Sequence, residues 1–224
     1  MIPTVMLRRC YESQRNWVVS PVSPEPVMDK DLERSFLETL SKGLISLPFD
    51  LKLLLEAVTD ADLEHPVREM AAAAVVHIIT SKDGNTDPPV RHAEDVLLLR
   101  LTLARIGKDG GEGAEAFRQR FSENYESLET ELQVFRNVLG DLVDWVDGRW
   151  PALLKAVYGK KKIPMFVDDE EVGTFLYDEG LKFGTNYPIS EKYLAGRVKQ
   201  VQPFIDHLIR KRDQDKKKIT TSPA

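Results

Sequence analysis

Residues 77–101, HIITSKDGNTDPPVRHAEDVLLLRL, gather the side chains with the greatest capacity for chemistry. Asp83, Asn85 and Asp87 alternate, and Glu94 stands at the twelfth place counted from Asp83. That is the ligand spacing of a calcium loop between two helices. Place 6 needs a glycine for its sharp turn, and here it is Pro88. Proline is held near a φ of about −65°, and Pro89 should restrict Pro88 to extended conformations. A standard calcium hand is not expected. Two readings of the acids remain. Glu94 and Asp95 can cap a following helix and favour its positive end, with Asp83 and Asp87 as turn formers. Alternatively Asp83, Asp87, Glu94 and Asp95 converge as oxygen ligands for a hard divalent cation, with His92 alongside.

The other signatures of catalysis are missing. There is no HExxH and no ExxH, and the four histidines (His65, His77, His92, His207) are scattered. His77 falls near a helix end, which suits a cap better than a ligand. GKDGGEG (107–113) has no Gly-Lys-Ser/Thr ending, and its acids would repel phosphate. The single cysteine, Cys10, excludes an internal disulfide or a multi-Cys zinc site and fits a reducing cytoplasm. No serine sits in a nucleophile elbow. Trp145 and Trp150 flank VDGR, so Trp145, Arg149 and Trp150 are candidate anchors for a protein partner. They also suit the core under a helix corner. The YGKKKIPMF segment reads as a basic loop.

The elements that must position these residues follow the spacing of apolar side chains. Residues 1–28, with Pro21, Pro24 and Pro26, read as a disordered tail and stiff linker, and Met28 offers an alternative start. Leu32, Phe36, Leu40 and Leu44 stripe a first helix, SLPFD interrupts it, and Leu51 to Val58 form a second. Asp62 and Pro66 open a third, striped from Val67 to Ile78. Val96 to Ile106 is apolar nearly all round, as in a central buried helix. Beyond the 107–113 break, Phe117 to Leu142 predicts one long bundle helix bent at Gly140. Pro151 opens a short helix to Tyr158, and Val172, Phe175 and Leu176 mark another. Ser190 caps a last helix that Pro203 should kink. The expectation is an all-α protein of seven or eight helices in two packed bundles, residues 29–106 and 114–212, with 213–224 a polar, frayed tail.

The stretch from about 47 to 106 resembles the YkvA-like family of small helical domains. Asp83 and Asp87 match that family's two loop aspartates at the same separation, and Glu94 with Asp95 match the acidic pair opening its next helix. AAAAVVHIIT and VLLLRLTLARI match the flanking helices in character. Ser81 replaces the first loop proline, GNT replaces LIP, and the later segment is two residues short, without its glycine. The resemblance implies a compact helical module with no known activity, found mainly in bacteria.

Charge bounds the partners. The 224 residues carry a net charge of −5 and no apolar run of the length that spans a bilayer. Residues 112–147 hold nine acids against three arginines, and residues 196–218 hold eight Lys or Arg against three Asp. Such a split favours packing between the two halves, or two separately solvated faces, over nucleic-acid binding. The functional expectation is a non-enzymatic, cytoplasmic interaction or regulatory module with a protein partner and no cofactor. The alternative is a divalent-metal-binding protein, including a metal-dependent hydrolase, that uses the 83–95 loop.

Overall fold

A computed structural model describes residues 29–81 and 86–221, with side chains described to residue 217. The tail expected at 1–28, Cys10 and Asp83 lie outside the described residues. The chain is mostly helical: α1 (Lys30–Thr59), α2 (His65–Thr80), α3 (Pro88–Arg91), α4 (Ala93–Asp109), α5 (Gly113–Arg120), α6 (Ser122–Glu126), α7 (Leu128–Leu139), α8 (Asp141–Asp147) and α9 (Trp150–Leu153). A hairpin of β1 (Val157–Tyr158) and β2 (Lys161–Lys162) follows, then α10 (Met165–Asp168), α11 (Glu170–Asn186), α12 (Glu191–Leu194) and α13 (Gln202–Thr221). Among the described residues no helix is long and apolar enough to cross a membrane.

One apolar core collects side chains from both sides of 107–113, including Phe36 of α1, Leu97 of α4, Phe135 of α7 and Leu176 of α11. The central element is α1, which packs against α2, α4, α7 and α11. Gly43 permits the close crossing with α4, since a Cβ there would collide with Val96.

Several elements depart from the sequence expectation for identifiable reasons. SLPFD does not interrupt α1, which runs continuously through Pro48. Proline removes the N–H that would bond the carbonyl four residues back, here Leu44. The Tyr187 hydroxyl supplies the missing donor, at 2.9 Å from the Leu44 oxygen. The long helix expected over Phe117–Leu142 is four shorter ones, which raises the helix count above seven or eight. It breaks at Phe121, at Ser127 and at Gly140, whose φ of 54° an ordinary helix cannot include. The basic loop is a hairpin whose turn residues Gly159 and Lys160 both have positive φ, 55° and 68°. Pro203 does not kink the last helix, because it lies in the first turn of α13, where a missing N–H costs no bond. Ser190 caps only the one-turn α12, accepting from the Tyr193 N–H. Residues 213–221 are helical, so that part of the expected frayed tail extends α13.

Candidate functional site

The prolines of the loop act on the backbone first. Pro88 and Pro89 occupy the opening turn of α3, so Pro88 is helical and not extended. Neither proline forfeits an intrahelical bond there, since the first N–H groups of a helix have no partner in it. This turn, with His92 as the joint, aims α4 so that Glu94 and Asp95 fall in its first turn.

The two acids are in the expected place but do not cap the backbone. Both are fully buried, and α4 has no side-chain cap hydrogen bond. Their oxygens accept instead from side chains brought by three separate segments. The α13 ammonium of Lys211 donates to Glu94 Oε2 at 2.6 Å, and Arg149, in the turn between α8 and α9, pairs with Glu94 Oε1. Asp95 Oδ2 accepts from His92 Nδ1 at 2.7 Å. That bond sets the tautomer, and His92 Nε2 then accepts from Arg91 Nη2 at 3.1 Å. From α2, His77 Nε2 reaches within 3.2 Å of Glu94 Oε1 and 3.7 Å of Asp95 Oδ1. Arg149 Nε also meets Asp215 of α13, 3.4 Å away.

The electrostatics follow from the burial. Desolvation pushes the His77 imidazole down to about 4, against the pull of Asp95 and with the Arg149 and Lys211 cations adding to the drop. A neutral His77 therefore sits between two carboxylates whose charge is met by Arg149, Lys211 and the His92 hydrogen bond. An uncompensated buried carboxylate would cost several kcal/mol, so the cations are a condition for this packing.

Of the four acids considered as ligands, the structure brings together Glu94 and Asp95. Asp87 stands half-exposed at the start of α3, 3.6 Å from Arg197, and Asp83 lies outside the described residues. Among the described residues no group of three or more His, Cys, Asp or Glu side chains is arranged to hold a metal ion. The anchors considered for a partner are engaged inside the fold. Trp150 is buried and donates to Asp147 at 3.2 Å, and Trp145 is partly buried under the Arg149 guanidinium, 5.1 Å from its ring centre. His77 is not a helix cap.

A second polar cluster escaped the sequence. Arg100 lies on the buried α4 and joins three segments: Asp50 of α1 at 2.7 Å, Glu131 of α7 at 2.6 Å, and through Asp50 the amide of Asn124 at 3.1 Å. Arg100, in the middle of the apolar run VLLLRLTL, was its only sequence signal. No family model, curated protein or solved structure matches the chain.

Proposed function

We propose that this chain is a non-enzymatic interaction or regulatory module, and that its acidic pair is a charge lock for the C-terminal helix. One observation carries the reading: both oxygens of the fully buried Glu94 are taken by cations from distant parts of the chain, Arg149 and Lys211. A catalytic carboxylate needs a free oxygen facing a reacting atom. Here the carboxylate ties α4 to the turn after α8 and to α13. The segregated charge supports the same role, since Arg212 of the basic segment pairs with Asp141 of the acidic one at 2.8 Å. The likeness of residues 47–106 to YkvA-like domains supports a compact helical module in a bacterial cytoplasm. With Trp145 and Trp150 engaged internally, Phe49 on α1, 66% exposed, is the apolar side chain best placed to meet a protein partner.

The test is a hydrolase panel (esters, phosphomonoesters, phosphodiesters) run on the purified full chain. No turnover is expected. Turnover that disappears in Glu94→Gln, with the fold intact by circular dichroism, overturns the reading.

One observation favours a metal-binding reading as the second choice. His77 Nε2 and Asp95 Oδ1 are buried, face each other, and have no hydrogen-bond partner among the described residues. Against it, the Lys211 ammonium and the Arg149 guanidinium already sit on Glu94 and would repel a divalent ion. Calorimetric titration with calcium, magnesium and manganese should show no binding tighter than roughly 10⁻⁵ M. Binding at that strength, lost in Asp95→Asn, would put the metal reading first.

A further inference from the structure

Behind the lock, on the other side of His92, a cavity of about 500 Å³ opens between the end of α2, the α3–α4 joint, the hairpin and the end of α11. That volume lies within the range of small-molecule sites. We infer that it binds a small organic monoanion with a flat apolar body, an aryl carboxylate in chemical class, held by Arg91.

Arg91 has the properties of an unmet anion receptor. Its Nη2 donates to a neutral acceptor, His92 Nε2, while its Nε is buried without a hydrogen-bond partner among the described residues. No carboxylate among them lies within ion-pair distance of it. A guanidinium presents its donors as a planar fork that fits a carboxylate with two parallel bonds. His92 cannot turn away to release Arg91, because Asp95 holds its other nitrogen.

The walls select the body of the ligand. Phe183 and Tyr187 pack edge-on against His92, with ring centres 6.1 and 5.2 Å from it, and Ile79 adds an aliphatic surface. The Tyr187 hydroxyl is committed to Leu44, so Tyr187 offers the pocket its ring. Flat apolar groups suit such walls.

The charge count selects the valence. Lys182 lines the far side with its ammonium 2.6 Å from Glu179, which also accepts from the Tyr158 hydroxyl. Among the described residues that line the cavity, Arg91 and Lys182 against Glu179 leave one net positive charge. A carboxylate matches it, whereas a phosphate monoester near two negative charges would meet Glu179 uncompensated.

The experiment titrates the full chain with benzoate, benzamide and phenyl phosphate, followed by amide chemical shifts. Benzoate should bind saturably and shift residues around Arg91 and Phe183. Benzamide, the neutral isostere, should bind at least about tenfold more weakly, as befits one lost charged hydrogen-bonding group. Arg91→Ala, checked for an unchanged thermal midpoint, should weaken benzoate by a similar factor. The inference is overturned if benzamide binds as well as benzoate, if benzoate shows no saturable binding, or if phenyl phosphate binds more tightly. The comparison of benzoate with benzamide needs no variant, so a failure of Arg91→Ala to fold would leave the test intact.

Discussion

Removing a single oxygen, in Tyr187→Phe, should weaken the fold through a backbone group in another helix. The Tyr187 hydroxyl is 2.9 Å from the Leu44 carbonyl, the one that Pro48 leaves without an N–H in the middle of α1. Losing that donor strands a carbonyl beside a fully buried Leu44 side chain. An unsatisfied buried acceptor costs about 1–3 kcal/mol, so a loss of roughly 2 kcal/mol is expected. For a chain of this length that lowers the thermal midpoint by about 4–8 °C. The decisive comparison is the Pro48→Ala background, where the backbone regains an N–H that can itself bond the Leu44 carbonyl. There the same substitution should cost less than about 1 kcal/mol, giving a coupling of roughly 1 kcal/mol in a double-mutant cycle. Urea denaturation of the four proteins supplies the numbers. Equal losses in both backgrounds would refute the idea that Tyr187 repairs the proline gap.

Arg100→Met should destabilise by about 3–5 kcal/mol, because it leaves Asp50 and Glu131 in the interior without their cation; a urea midpoint within about 0.5 kcal/mol of wild type would contradict that. Stability should also fall on acidification through His77. Its folded value near 4 lies below the unfolded 6.5, so the unfolded chain takes up the proton first. The contribution is then complete above pH 6.5 and lost progressively down to about pH 4, up to roughly 3 kcal/mol. His77→Gln should flatten the stability profile over that window relative to wild type, and an unchanged slope would show that His77 is not held neutral.

What could be read from the residues was mostly what apolar periodicity controls. The stripe of α2 and the all-round apolar α4 emerged because burial repeats with the helical turn. The placement of Glu94 and Asp95 at the start of α4 was legible as well. Their partners were not, because Lys211 and Arg149 lie 117 and 55 residues away and nothing local marks them. Pro48 was misread for a related reason: the donor that mends the helix is Tyr187, 143 residues from Leu44. The breaks within 117–142 were hidden because α5, α6 and α7 keep apolar side chains at helical spacing across each break. Lys160 at positive φ is a conformation few non-glycine residues adopt, so the hairpin carried no usual turn signature.

The charge lock is tested most directly by hydrogen exchange along α13 in Lys211→Met, which keeps the length and packing of the side chain while removing its ammonium from Glu94. Amides of residues 202–221 should exchange about tenfold faster or more than in wild type, as for a loss of about 1.4 kcal/mol or greater, while α1 and α2 keep their protection. Unchanged protection of α13, with or without a chelator present, would show that Glu94 does not hold this helix. The acidic pair would then need another role.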